Sequence, residues 1–341
     1  MKTRLLGKTP EELKEIALSA GLPAFAGKQM AQWLYAKRVR SIEEMTNLSR
    51  QGREALARDY EVGLAQPLDV QTSADGTRKY LFPVKGDAAN AVEAVMIPDA
   101  DRKTLCVSSQ AGCKMACQFC MTGRQGFHGN LEPADILSQF FAVEEAGELT
   151  NAVFMGMGEP LDNWDNVRRV LAVLTEPWGL AWSPKRITVS TIGVLPRLKE
   201  FLDGSKCHLA VSLHNPFPEE RAQMMPVQKA WSETEIIRLL KQYDFSGQRR
   251  VSFEYTVFHG WNDTPRHADQ LVHLLRHLEC RVNLIRFHRI PDFPYGPASQ
   301  QQMEAFRDRL VQGGLTATIR ASRGEDIFAA CGLLAGKHNQ E

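Results

Sequence analysis

Three cysteines, Cys113, Cys117 and Cys120, stand in the run Gln110-Ala-Gly-Cys-Lys-Met-Ala-Cys-Gln-Phe-Cys120 at a C-x3-C-x2-C spacing. Thiols this close in sequence can converge on one metal centre, and they are one ligand short of a closed tetrahedral site. Structural zinc normally takes four protein ligands, whereas an iron–sulfur cluster held by three cysteines keeps one iron free for an outside ligand. His128 follows shortly after, so a zinc site of three cysteines and one histidine is the competing reading.

Other candidates have weaker signals when taken singly. In Phe154-Met-Gly-Met-Gly-Glu-Pro160, Gly156 and Gly158 permit close backbone approach to a ligand, and Glu159 adds a carboxylate for polar or cationic groups. The same residues would serve an ordinary strand-to-helix turn. Val189-Ser-Thr191 and Val211-Ser-Leu-His214 offer hydroxyl and imidazole groups, which more often cap helices or satisfy a core. Cys331 lies near the C-terminus among Arg320, Arg323, Glu325 and Asp326; a lone cysteine beside alanines is usually a small buried hydrophobe.

The elements that must position these groups follow from periodicity. Pro10–Ala20, Gly27–Arg38 and about Ser49–Tyr60 read as amphipathic helices, giving an N-terminal helical domain over 1–65. Residues 66–100 form a β-rich extension, with alternating runs at Arg78–Phe82 and Ala91–Ile97 separated by turn residues. From 101 to 341, six apolar runs alternate with helix-length stretches. The strand candidates are Thr104–Ser108, Asn151–Met155, Arg186–Ser190, His208–Ser212, Arg250–Val257 and Arg281–Phe287. The helix candidates are Pro133–Gly147, Asn163–Thr175, Leu195–Leu202, Ser232–Tyr243, Pro265–Leu278 and Ser299–Gly313. This succession predicts an α/β fold, a partial (β/α)6 barrel whose chemistry collects at the carboxyl ends of its strands. The cysteine loop follows the first of those strands, so the two inferences meet in one place.

Composition is compatible with an enzyme that works in the cytoplasm. The chain has 341 residues, 43% hydrophobic and 24% charged, with a net charge of +1 and seven cysteines. No apolar run approaches the roughly 20 residues needed to span a bilayer, and the N-terminus lacks a signal-peptide core. Seven cysteines without a leader point to reduced thiols rather than a disulfide framework. A near-neutral chain must meet any nucleic acid through a local basic surface, for which Arg78, Lys79, Lys185, Arg186, Arg249 and Arg250 are candidates.

The C-x3-C-x-aromatic-C pattern resembles the signature of radical S-adenosylmethionine (SAM) enzymes. The wider set is more specific. Cys106-Val-Ser-Ser-Gln-Ala-Gly-Cys113-x3-Cys117-x2-Cys120, Gly156-Met-Gly-Glu-Pro-Leu161, Val211-Ser-Leu-His214 and Arg323-Gly-x2-Ile-x-Ala-Ala-Cys331-Gly resemble the RlmN/Cfr family of radical-SAM RNA adenine methyltransferases. The likeness extends to Gly21–Phe25, Trp33–Tyr35 and Met45–Leu48, and so spans nearly the whole chain.

The resemblance implies a [4Fe–4S] cluster on Cys113, Cys117 and Cys120 and two SAM molecules per turnover. One SAM methylates Cys331; a second is cleaved reductively to a radical that activates the S-methyl group for addition to adenine, joining protein and RNA. Glu93, otherwise a solvent-facing strand residue, matches the proton acceptor, and Cys106 the resolving thiol that pairs transiently with Cys331. Gly158, Glu159, Ser190, Ser212, Leu213 and His214 match SAM contacts, as does His288, where the family usually carries Asn. Cys207 and Cys280 match no role. Gly158–Leu161, Asn163-x2-Asn166 and the N-terminal helices resemble the branch that methylates carbon 2 of adenosine in 23S rRNA and in tRNA anticodon loops. Carbon 8 methylation, which confers antibiotic resistance, is the alternative; from another class, a zinc-stabilised RNA-binding module is a second. A reducing electron donor is implied, and no obligate protein partner or membrane.

Overall fold

Thr9 opens the first helix with a reciprocal cap: its hydroxyl accepts the Glu12 N–H at 3.2 Å, and the Glu12 carboxylate accepts the Thr9 N–H at 2.8 Å. In the computed structural model, which describes residues 2–247 and 249–336, this helix is α1 (Pro10–Ser19). It follows β1 (Thr3–Arg4) and packs with α2 (Ala26–Ala31) and α3 (Arg50–Asp59). The stretch expected as one helix over Gly27–Arg38 changes pitch at Gln32–Ala36, a π-helical turn, and stops at Arg38 with φ +54°. Strand β2 (Tyr60–Glu61) returns to pair with β1 in parallel. Arg4 then reaches out of this unit and places its guanidinium 2.5 Å from both Glu132 Oε2 and Asp135 Oδ1.

Three antiparallel strands come next: β3 (Asp69–Thr72), β4 (Arg78–Val84) and β5 (Asp87–Asp99). Strand β6 (Arg102–Cys106) pairs antiparallel with β5 on one side and parallel with β9 (Asn151–Phe154) on the other. Between them lie the hairpin β7 (Gln110–Gly112) and β8 (Phe127–Asn130), the short α4 (Met121–Arg124) and α5 (Pro133–Phe141). The parallel series continues through α6 (Trp164–Thr175), β10 (Ile187–Thr191), α7 (Leu195–Gly204), β11 (His208–Ser212), α8 (Pro218–Met224), α9 (Glu233–Leu240) and β12 (Val251–His259). It ends with α10 (Pro265–Leu275), β13 (Arg281–Arg286), the short β14 (Gly296–Pro297), α11 (Gln300–Gln312) and β15 (Thr316–Ile319).

The sheet runs β15-β13-β12-β11-β10-β9-β6-β5-β4-β3. All six expected parallel strands are present within two residues or so of the expected starts and ends. A seventh, β15, joins β13 in parallel and was not anticipated; Thr-Ala-Thr-Ile is short and half exposed, so its apolar signal is weak. Buried Ile187, Val189, Leu209, Val211, Phe253, Tyr255, Val282 and Leu284 fill the strands. Helix faces such as Val167, Val170, Leu171 and Leu174 of α6 cover them at the i, i+3, i+4, i+7 spacing. Among the described residues no helix is long and apolar enough to cross a membrane.

Candidate active site

The loops after the parallel strands converge at one end of the sheet. The cysteine segment is the turn of the β7–β8 hairpin. Gly112 sits at φ +67°, and a Cβ there would lie 1.9 Å from the Gly126 carbonyl oxygen, so only glycine lets the two arms close. The Cys113 N–H donates to that same carbonyl at 2.8 Å, and Cys120 closes a tight turn on the Cys117 carbonyl at 3.2 Å.

Burial pushes the Cys113 thiol up to about 12, Cys117 well above the usual range, and Cys120 upward. The thiols and the Glu159 and Asp162 carboxylates add to the shift at Cys113, while Arg221 opposes it at Cys117. No three His, Cys, Asp or Glu side chains among the described residues are arranged to hold a single metal ion, and His128 is exposed on β8. The chemistry of the donor set fits an iron–sulfur group: three thiols on one hairpin turn, next to a buried arginine that can balance a thiolate cluster's negative charge. Phe119, the aromatic of the motif, packs its ring 4.9 Å from His214 and 5.4 Å from Phe258, tying the hairpin to the ends of β11 and β12.

Gly156 and Gly158 belong to the turn after β9. A Cβ on Gly156 would lie 2.7 Å from both Ser108 Oγ and the Val107 carbonyl oxygen; Gly158, at φ +94°, would put one 2.4 Å from Gln110 Cβ. Ser108, fully buried, donates to the Glu93 carbonyl at 2.6 Å and accepts the Met157 N–H at 2.8 Å. Glu159 accepts the Leu161 N–H at 2.9 Å, the Thr191 hydroxyl at 2.6 Å and the Ile192 N–H at 2.9 Å. Burial nonetheless lifts its carboxyl to about 7, the three hydrogen bonds working against the shift.

Ser190 and Ser212 are half-buried at the ends of β10 and β11, and Leu213 is buried. His214 is 7% exposed, with φ +57°. Burial and then Arg221 pull it down to about 3, so the ring is neutral; its Nδ1 accepts the Thr256 N–H at 3.0 Å, leaving Nε2 as the protonated nitrogen. Arg221, on α8, was not among the residues singled out from the sequence. Its guanidinium is fully buried and donates to the Leu213 and Ser212 carbonyls at 3.0 and 3.1 Å and to Gln228.

The segment after β15 crosses this end of the sheet. The Gly324 N–H donates to Asp75 at 3.0 Å, and Asp326 accepts the Ser73 hydroxyl at 2.5 Å. The His288 ring is 3.0 Å from the Ser322 hydroxyl, so its Nε2 is engaged by this segment. Exposed Cys331 follows. Past it, the Met121 N–H donates to the Gly332 carbonyl at 2.8 Å, and the Thr122 hydroxyl to the Leu334 carbonyl at 2.8 Å, so the loop lies against the cysteine hairpin. Cys106 is buried beside it: burial raises its thiol to about 12, with the proximity of Cys331 the next cause and Arg320 opposing. All seven cysteines are free thiols.

Glu93 corrects one sequence expectation. It does not face solvent; it is 2% exposed, its Oε1 lies 3.0 Å from Lys79 Nζ, and its Oε2 accepts the N–H groups of Ala335 and Gly336 at 2.6 and 2.9 Å. Lys79 is thereby removed from the phosphate-binding candidates, and Arg78 pairs with Glu144 and Glu145. Lys185, Arg186, Arg249 and Arg250 precede β10 and β12, at the end of the parallel strands opposite the cysteines.

Comparison with known proteins gives a consistent picture. A family profile described as "Radical SAM superfamily" matches residues 107–272, and one described as "Ribosomal RNA large subunit methyltransferase N-terminal domain" matches residues 3–62. A Porphyromonas gingivalis protein named "Probable dual-specificity RNA methyltransferase RlmN" is 58% identical over 334 residues, covering 98% of this chain and 94% of its own. A Syntrophus aciditrophicus protein named "Dual-specificity RNA methyltransferase RlmN" is 39% identical over 335 residues, covering 97% and 96%. The crystal structure of a radical SAM methyltransferase from Sphaerobacter thermophilus superposes with a TM-score of 0.92 at 36% identity, covering 98% of this chain and all of that one.

Proposed function

The chain belongs to the RlmN family of radical-SAM RNA methyltransferases, and from that premise we propose that it methylates carbon 2 of an adenosine in 23S rRNA and in tRNA through a methylated Cys331. The observation that carries the reading is the seat of the Cys331 loop, which bonds to Met121 and Thr122 of the cysteine hairpin and to Glu93 of β5, with the Cys106 thiol beside it.

Cys113, Cys117 and Cys120 would hold a [4Fe–4S] cluster, which with SAM would supply the one-electron chemistry the reaction needs. Gly158 gives SAM close access to the backbone, with Glu159, Ser190, Ser212, Leu213 and His214 around it and His288 at the rim. Cys331 takes the methyl group from a first SAM and forms the bond to the adenine carbon. Glu93 accepts the proton from that carbon. The Cys106 thiolate attacks the Cys331 sulfur, the sulfur–carbon bond breaks with its electron pair passing to the methylene carbon on the adenine, that carbon takes up a proton to become the methyl group, and a disulfide remains for a reducing donor to reopen. Residues 1–65 serve as the RNA-contacting domain, 66–100 as the β extension that supplies Glu93, and 101–341 as the catalytic unit, acting in the cytoplasm.

Mass spectrometry of nucleosides from RNA treated with the reconstituted protein tests this reading. 2-Methyladenosine is the expected product; 8-methyladenosine would replace it with the alternative regiochemistry. A colourless zinc protein that cleaves no SAM would end the enzymatic reading.

A further inference from the structure

Among the described residues Lys79 is the one strongly buried lysine beside the candidate site, and the proposed steps leave it without a role. It is 5% exposed on β4, directly across the ladder from Val95 and two positions from the Leu81–Glu93 pair, on the same face of the sheet. Its ammonium lies 3.0 Å from Glu93 Oε1, with the two side chains 5% and 3% exposed. Glu93 has no water-facing side from which to recover a lost charge partner: its other oxygen is taken by the Ala335 and Gly336 N–H groups. A carboxyl group taken out of water favours its neutral form unless a cation or strong donors hold it ionised. A neutral carboxyl cannot accept a proton from a carbon acid.

We propose that Lys79 is a positioning residue for the reaction: its ammonium, 3.0 Å away, fixes Oε1 of Glu93 inside the sheet, while Oε2 is held by the loop that carries Cys331. The inference rests on Glu93 acting as the base. In the step concerned, the carbon–hydrogen bond of the adenine carbon joined through a methylene to Cys331 breaks, the proton passes to Glu93, and the electron pair stays with the adenine ring. Lys79 touches neither RNA nor SAM. It acts through the charge and aim of the carboxylate, and through that charge on the loop, because N–H bonds to an ionised oxygen are about twice as strong as those to a neutral one.

The test compares Lys79→Met, Lys79→Gln and Lys79→Arg in the full-length reconstituted protein. Lys79→Gln keeps a hydrogen-bond donor against Oε1 and serves as the second uncharged variant should Lys79→Met fail to fold. Both uncharged variants are expected to form 5′-deoxyadenosine within about twofold of the parent. They should release methylated RNA at least about tenfold more slowly, with a covalent protein–RNA species accumulating on denaturing gels, and Lys79→Arg should recover much of the release. Deuterium at the target carbon should slow release more in the uncharged variants than in the parent. Independently of turnover, the Ala335 and Gly336 amides should exchange with solvent faster in the uncharged variants. Release at the parental rate with unchanged amide exchange would overturn the role of Lys79. Glu93→Gln separates the two ideas: if it traps the adduct and Lys79→Gln does not, only Lys79 fails. If Glu93→Gln itself turns over normally, the base assignment fails and Lys79 with it.

Discussion

The parallel strands β9–β13 and the antiparallel strands β3–β5 share one sheet but supply the candidate site differently. The parallel strands contribute residues at their carboxyl ends, where each chain leaves the sheet: Gly158 and Glu159 after β9, Ser190 on β10, Ser212 to His214 after β11. The antiparallel strands contribute from mid-strand, through Lys79 and Glu93, whose side chains are buried under the C-terminal loop. Cys106 lies on the seam, in register with Val95 of β5 on one side and Val153 of β9 on the other. Strand ends can gather many backbone and side-chain groups around a cofactor, whereas mid-strand positions offer rigid, water-poor placement for a single charge. The proposed chemistry divides along the same line, with radical generation at the strand ends and completion from the antiparallel side.

The division is broken most directly at the cysteine hairpin. Replacing Cys113, Cys117 or Cys120 with Ala should abolish SAM cleavage and deplete bound iron, read as 5′-deoxyadenosine yield and iron content. If the triple Ala variant still produced 5′-deoxyadenosine, the strand-end half of the comparison would collapse. Next in size, Cys331→Ala should give no protein–RNA adduct, while Cys106→Ala, at the seam, should trap one; denaturing gels distinguish them, and free unmethylated RNA from both would contradict the ordered roles.

Smaller effects concern stability. Gly158→Ala would drive a Cβ into Gln110 at φ +94°, and strain plus overpacking should cost about 4 kcal/mol by chemical denaturation. Glu159 sharpens the comparison through pH. Its folded-state value of about 7 lies above the ordinary glutamate value of 4.5, so the folded protein binds this proton more tightly than the unfolded chain. The stabilisation is complete below about 4.5 and is lost as pH rises through about 7, a change on the order of 3 kcal/mol that Glu159→Gln should remove from a stability–pH curve of the metal-free protein. The smallest effect belongs to His288. Its bond to Ser322 makes His288→Ala worth about 1 kcal/mol of thermal stability; a weaker SAM titration would support its place at the cofactor's rim, and an unchanged SAM affinity would take it out of the cofactor's contacts.

The same contrast explains what the sequence disclosed. The six parallel strands and their covering helices were legible because continuous apolar runs alternate with 3.6-residue periodicity, and the cysteine spacing is a local pattern that needs no tertiary information. Glu93 misled because alternation in β5 assigns it to a face, and nothing local says that residues 335 and 336 will cover that face. Lys79, beside Arg78, looked like half of a solvated basic pair; only the fold separates them, sending Arg78 to Glu144 and Glu145 and Lys79 to Glu93. Arg221 lay in a charged segment, Pro-Glu-Glu-Arg, whose burial depends on the Ser212, Leu213 and Gln228 groups it meets. Partners distant in sequence leave no periodic trace.

The bonds from Ala335 and Gly336 to Glu93 span 242 and 243 residues. During synthesis the sheet, the cysteine hairpin and the Lys79–Glu93 pair are all translated well before the amides that complete the carboxylate's surroundings. Contacts of such separation are among the last to form, since the chain between must be ordered first. A nascent or C-terminally shortened chain ending before Cys331 would therefore possess the thiols proposed to hold the cluster and lack the one proposed to receive a methyl group. On the proposed roles, assembly order alone keeps the cysteine hairpin and the Cys331 loop from being joined until almost the entire polypeptide has emerged.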